Sequence, residues 1–211
     1  MKNDFVKMLK HPSFCILHFA FFICLSGCFN EPEPASKTVP AEARVYLQDK
    51  GLKDLSSCAD KLSAGAIIDY VNLDRNALEA FPSELTSLTG LKWLRLNDNA
   101  LVDIPDLSAL VNLRRLYLRG NRLTSVPETL KDLPSLTDID LSNNPISEVP
   151  DWLAAKKGLE GISLTGTKVR KLPEDLSAWK TLLQLQLGDL KLSAEEMARI
   201  RAALPRVAIV F

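Results

Sequence analysis

Apolar and polar positions along this chain follow a pattern that returns every 22 or 23 residues from Ile68 onward. Six strings line up: IDYVNLDRNAL from Ile68, LKWLRLNDNAL from Leu91, LRRLYLRGNRL from Leu113, LTDIDLSNNPI from Leu136, LEGISLTGTKV from Leu159 and LLQLQLGDLKL from Leu182. The centre of each string has period two, which predicts a strand with one buried face. One strand per repeat at a fixed interval predicts a parallel sheet. No repeat can bury its own apolar edge, so neighbours must stack into a continuous core. A degenerate copy, EARVYLQDKGL, begins at Glu42 with Val45, Leu47 and Leu52 in register, and LPRVAIVF supplies a last strand at Val207 to Ile209. Seven or eight strands about 4.8 Å apart predict a slab on the order of 35 Å long.

The second half of each repeat carries an early proline, as in FPSELTSL, IPDLSAL, VPETLKDL, VPDWLAA and LPEDLSAW. Proline suits the first position of a helical turn, where its missing N–H is not needed. Glu84, Asp106, Glu128, Asp151, Glu174 and Asp175 follow at once, where the positive end of a helical turn favours acids. These halves predict short helical or 3-10 segments on the convex side. Near the C-terminus, SAEE at Ser193 to Glu196 reads as a capping box before Met197, Ile200 and Leu204. It predicts an amphipathic helix from Ser193 to about Leu204 that closes the end of the core.

The pattern L-x-x-L-x-L-x-x-N-x-L, over about residues 42 to 211, resembles that of leucine-rich-repeat proteins, and the L-P-x-x-L halves are similar to bacterial members. The resemblance implies an α/β solenoid with a parallel concave sheet and short helical or 3-10 convex segments. One polar column interrupts the apolar set: Asn76, Asn99, Asn121 and Asn144. The chain turns there from strand towards the convex side, leaving inner backbone groups that no sheet bond satisfies. An amide donates two hydrogen bonds and accepts two, so it can bridge adjacent coils. In the family this is the asparagine ladder, and the resemblance implies that role here. The column departs from the pattern at Lys50, Thr167 and Leu190. Thr167 can replace part of the bonding. Leu190 cannot, so the turn near it must differ or admit water.

The first residues follow another pattern. Lys2, Lys7 and Lys10 form a basic start, the apolar run FCILHFAFFICL follows, and LSGC spans Leu25 to Cys28. This reads as a secretory signal, too short for a membrane span, with Met8 as an alternative start. LSGC resembles the lipobox of bacterial lipoproteins, which implies cleavage before Cys28 and a diacylglycerol on its sulfur. A plain secretory signal with an incidental cysteine is the alternative. FNEPEPASKTVP, with three prolines and no periodicity, reads as an extended tether. The expected organisation is a signal peptide at 1–27, lipidated cysteine and tether at 28–40, and the repeat domain at 41–211.

Composition narrows the chemistry. Lys plus Arg and Asp plus Glu are both 26, which argues against a bulk nucleic-acid binder. Removing the signal takes away both histidines, His11 and His18, and leaves Cys28 and Cys58. Ser-His-Asp and Cys-His pairs are then excluded, and a zinc site would lack imidazole and clustered thiols. No phosphate-binding glycine motif is present. Leu55-x-x-Cys58 matches Ile104-x-x-Leu107, so Cys58 is expected in a core column as a small hydrophobe. The acid pairs Glu174-Asp175 and Glu195-Glu196 read as helix N-terminal electrostatics. No catalytic residue, metal site or cofactor is assigned, and the expectation is a protein that is not an enzyme.

Residues between the leucines leave the sheet on its concave side. The third position of each repeat runs Arg44, Tyr70, Trp93, Arg115, Asp138, Gly161, Gln184, and the fifth runs Tyr46, Asn72, Arg95, Tyr117, Asp140, Ser163, Gln186. The seventh runs Gln48, Asp74, Asn97, Arg119, Ser142, Thr165, Gly188. Tyr70, Trp93, Arg95, Arg115, Tyr117 and Arg119 form one expected patch, bordered by Asp138 and Asp140. Tyr, Trp and Arg are the types enriched at binding hot spots; cross-strand pairing of Arg115 with Asp138 and Tyr117 with Asp140 is the competing reading. With two acids for three arginines, surplus positive charge is expected. The reading is a lipid-anchored, non-enzymatic protein that binds a protein or peptide partner through this face. A structural or adhesion component of the envelope without a selective ligand, or an inhibitor of a secreted enzyme, are the alternatives. Phe29, after Cys28, lacks the aspartate that retains lipoproteins in the inner membrane, so the resemblance implies the outer membrane of a bacterial envelope.

Overall fold

The computed structural model describes residues 43–62 and 67–211; the signal, Cys28 and the tether lie outside them. The period-two strings become strands β1 (Ala43–Tyr46), β2 (Ile68–Asn72), β3 (Trp93–Arg95), β4 (Arg115–Tyr117), β5 (Asp138–Asp140), β6 (Gly161–Ser163), β7 (Gln184–Gln186) and β8 (Ala208–Val210). They pair in parallel, in sequence order, as one sheet. The last strand starts one residue later than expected, because Val207 N is still bonded to Leu204 O in the preceding turn and pairing begins at Ala208. The inward column Val71, Leu94, Leu116, Ile139, Ile162, Leu185 is buried, as are the leucines that flank each strand. Each fully buried Leu or Ile contributes roughly 1.5–3 kcal/mol.

On the other side of the core run 3-10 turns at Ser83–Ser87, Glu128–Asp132 and Ser177–Thr181, and the short helix α2 (Asp151–Ala155). A 3-10 turn at Ser56–Cys58 runs into α1 (Ala59–Leu62) in the first coil. Pro82, Pro127 and Pro150 hold the N-cap in extended conformation, one residue before the expected place. The missing N–H is equally unneeded there. IPDLSAL forms no helix. Its repeat is the 22-residue one, and the deleted residue shortens the turn. Asp106 instead accepts from Ser108 N and Oγ, and Leu107 N donates to Thr129 Oγ1 of the next coil at 2.7 Å. Cys58 is a free thiol, half-buried against the core; Leu55 takes the fully buried place of that coil.

Two columns close the turn after each strand. Asp49, Arg75, Asp98, Gly120, Asn143, Gly166 and Asp189, all eighth in their repeats, have φ between +53° and +67°. Glycine, asparagine and aspartate tolerate that left-handed conformation. Arg75 is the bulky exception, held by a two-pronged pair with Asp49 at 2.6 Å. The asparagine column lies next to it. Asn99 donates to Leu73 O and Leu96 O, Asn121 to Leu96 O and Leu118 O, and Asn144 to Leu118 O and Leu141 O. Their Oδ1 atoms accept from Leu78 N, Leu101 N and Leu123 N of the preceding coil. Asn76 bonds Leu47 O and Leu73 O and accepts from Lys50 N and Leu52 N. Thr167 reaches only Leu164 O of its own coil. At Leu190 the backbone takes over: Leu190 N donates to Leu187 O.

Helix α3 (Ala194–Ala203) covers the C-terminal coils with Ile200 and Leu204 buried and Met197 half-buried. Ser193 caps it by accepting from Glu196 N. The capping box is not reciprocal. Glu196 turns inward, where its Oε1 accepts from Leu172 N at 2.8 Å and its carboxylate pairs with Arg199.

Candidate functional site

Register places the candidate residues on one face. The pairs Arg44–Tyr70, Tyr70–Trp93, Trp93–Arg115 and Arg115–Asp138 make one row across β1 to β5. Asn72–Arg95, Arg95–Tyr117 and Tyr117–Asp140 make the second. Alternate strand residues point to opposite sides, so both rows emerge where Val71, Leu94, Leu116 and Ile139 do not. The rings form a continuous contact that steps between the rows. Tyr46 and Tyr70 centroids lie 5.3 Å apart, Tyr70 and Trp93 5.0 Å, and Trp93 and Tyr117 5.7 Å, the last two edge-on at about 80°. Edge-to-face pairs of this kind are favoured by the ring quadrupoles. The Arg115 guanidinium stands 5.1 Å over Trp93, and Arg95 5.8 Å over Tyr117. Burial is the main cause that raises the Tyr70 and Tyr117 phenols above the ordinary tyrosine value.

The charge balance differs from the expectation. Arg95 pairs with Asp74 at 2.5 Å, Arg119 with Asp98 at 3.1 Å and Arg115 with Asp138 at 3.6 Å. Each candidate arginine therefore has its own acid, and the expected surplus at the centre of the patch is absent. Asp140 accepts from the Ser142 hydroxyl and N–H instead. The difference arises in the seventh column. Asp74, Asn97 and Ser142 are buried rather than displayed, because the chain has already left the strand. Asp74 Oδ1 accepts from Asn97 N at 2.8 Å, and Asn97 Oδ1 accepts from Arg119 N at 2.9 Å. These bonds form a second polar column between coils. Arg119 alone among the patch lies beyond the strands, and like Arg115 it is exposed.

A cavity of about 700 Å³ lies where the chain enters the strands. Second-position residues that the pattern left unassigned, Asp69, Lys92 and Arg114, line it together with Arg44, Tyr70 and Trp93. Reading that position across repeats (Asp69, Lys92, Arg114, Thr137, Glu160) would have shown a charged column. A shallower hollow, about 160 Å³, lies over Gly161 and Ser163. Among the described residues no group of three or more Cys, His, Asp and Glu could hold a metal ion.

Comparison with known proteins accords with this geometry. A family model described as leucine-rich repeat matches residues 66–123, and one of two such copies matches 111–154. Mouse podocan is 36% identical over 149 residues, which cover 67% of this chain and 22% of podocan. The structure of a leucine-rich-repeat protein of Leptospira interrogans superposes with a TM-score of 0.58 at 30% identity, over 68% of this chain and 43% of that one. A Listeria monocytogenes internalin gives 0.58 at 20% identity, over 76% of this chain and 51% of that one, which shows a shared fold. The chain spans from 4% to 22% of the length of the first curated relatives it matches.

Proposed function

We propose that this chain, a solenoid of leucine-rich repeats, is the recognition module of a lipid-anchored protein of the bacterial envelope. It binds a protein or peptide partner through the exposed face of its sheet and performs no catalysis. The observation that carries the reading is the unbroken contact Tyr46–Tyr70–Trp93–Tyr117, with Arg115 and Arg95 stacked on it, on a face that contributes nothing to the leucine core. Aromatic rings and guanidinium groups supply large contact area and dominate binding energies at hot spots. Arg119, Asp138 and Asp140 border the centre. The LSGC string supports attachment through Cys28, and Phe29 supports the outer membrane.

The test is capture from envelope extracts, followed by binding measurements on the purified partner. Trp93→Ala and Tyr117→Ala should each weaken binding by on the order of 2 kcal/mol. Ser163→Ala and Gln186→Ala, on the neutral half of the face, should leave it unchanged. Binding that survives the first pair and fails with the second would move the site to the other end. For the anchor, incorporation of a palmitate analogue should disappear in Cys28→Ala; labelling that persists would reject lipidation there.

A further inference from the structure

We propose that the cavity at the strand-entry edge is an anchor pocket for an acidic peptide segment of the partner, held at its depth by Asp69 and Trp93 and at its rim by Arg44 and Arg114. This rests on the partner-binding reading above and gives that partner a chemistry and an entry point.

The depth of the cavity holds two unmet hydrogen-bonding atoms. Asp69 is only 8% exposed, and its Oδ1 has no hydrogen-bond partner among the described residues. The Lys92 ammonium stands 4.0 Å from its other oxygen, Oδ2. Trp93 Nε1 is buried and also lacks a hydrogen-bond partner among the described residues. One atom is an acceptor and the other a donor, and both belong to residues lining the same cavity. Leaving such groups unbonded is costly, and native structures rarely do so without a use for them. Both atoms are closed off from solvent in this conformation, so a peptide unit, which carries the complementary N–H and C=O, reaches them once the two side chains turn towards the cavity. A volume of about 700 Å³ falls within the range of sites that enclose a ligand, roughly 300–1,000 Å³.

Charge selects among peptides. A carboxylate among aromatic rings would by itself invite a cationic group. The lining argues otherwise. Arg44, Lys92, Arg114 and Arg115 face the cavity against Asp69 and Glu160 alone. Lys92 stands beside Asp69 and Arg115 pairs with Asp138, whereas Arg44 and Arg114 have no ion-pair partner among the described residues. Glu160 offsets one of these two arginines, so the net unneutralised charge is still positive, and it lies at the rim. The other arginines of the face, Arg95 and Arg119, are already neutralised by Asp74 and Asp98. An acidic side chain of the partner is drawn to the edge of the sheet and not to its middle. Tyr46, 53% exposed beside Tyr70, offers the adjoining apolar surface.

The full chain, immobilised, is used to select from a random linear peptide library displayed on phage, and the enriched consensus peptide is synthesised and titrated. Enriched sequences should place Asp or Glu next to a large apolar residue. The consensus peptide should bind Arg44→Ala/Arg114→Ala at least tenfold more weakly than the parent chain, and Arg122→Ala, an exposed arginine outside both the face and the cavity, with unchanged affinity. Asp69→Asn should also weaken it; Arg44 and Arg114 are exposed, so that double variant keeps the test valid if Asp69→Asn misfolds. Enrichment of neutral or basic peptides overturns the acidic occupant. A consensus that ignores the rim changes but is lost with Trp93→Ala/Tyr117→Ala overturns the pocket and leaves the face reading standing. No enrichment at all, or capture insensitive to both sets, overturns both.

Discussion

Arg95 Nη2 lies 2.5 Å from Asp74 Oδ2, while Asp74 Oδ1 accepts the backbone N–H of Asn97 at 2.8 Å. Asp74 is only 1% exposed. One buried carboxylate thus holds both an arginine of the exposed sheet face and a backbone N–H of the next coil. A carboxamide at 74 keeps the shape but turns an N–H donor towards a guanidinium that also donates. Asp74→Asn should cost about 1–3 kcal/mol in chemical denaturation. Adding Arg95→Leu should restore part of the loss, since it removes the unpaired cation. Strict additivity of the two changes would show that the pair is not coupled.

The asparagine column yields an ordering. Leu96 O accepts from both Asn99 and Asn121, and Leu118 O from both Asn121 and Asn144. Asn121→Leu therefore orphans one group outright, Leu101 N. Asn144→Leu orphans two, Leu123 N and Leu141 O, because Thr167 bonds only within its own coil. At about 1–3 kcal/mol per buried unsatisfied group, Asn144→Leu should destabilise about twice as much as Asn121→Leu. Equal melting temperatures for the two variants would contradict the bonding described here.

The strands, their register and the asparagine column were legible because each follows from a strict period, and a period in sequence is a column in space. The fate of the charges was not. Asp74 and Asn97 read as outward residues under a rule of alternation, but the chain has already turned at the seventh position, where alternation no longer holds. The left-handed eighth column was readable from Asp, Gly and Asn at five of the six positions from Arg75 onward, and Arg75 masks it. Lys156 shows the limit of pattern. It occupies a place that Leu133 fills one coil earlier, with its ammonium on Lys131 O and Leu133 O. Its long stem serves the apolar role while the head finds carbonyls.

Thr129 carries the bond that replaces the missing helical turn. Its hydroxyl accepts from Leu107 N, in the coil shortened by one residue. Thr129→Val keeps the shape and removes the acceptor, so it should cost about 1 kcal/mol or somewhat more. Thr86 bonds only an exposed carbonyl of its own turn, Ser83 O, and Thr86→Val should be near neutral. Hydrogen exchange at Leu107 N should quicken in Thr129→Val; unchanged exchange would mean that the hydroxyl is dispensable.

Glu196 gives the C-terminal coils a dependence on acid. The Arg199 guanidinium is the main cause that holds its carboxyl below the usual glutamate range, helped by the N–H of Leu172; burial opposes both. A carboxyl whose folded value is depressed contributes stability that is fully present above its unfolded value, about 4.3. That contribution is lost as pH falls through the lower, folded value. Other acids are also depressed, among them Asp49, Asp106, Glu174 and Asp175, but these are exposed and solvent screening leaves them little weight. Glu196→Gln isolates the buried group. Its amide can still accept from Leu172 N, but its NH2 meets the donors of Arg199. The difference in unfolding free energy between parent and variant should be constant above about pH 5 and shrink steadily below about pH 4. Denaturant titrations of both chains at a series of pH values measure it. A difference that stays constant down to acid unfolding would mean that Glu196 acts through shape and not through charge.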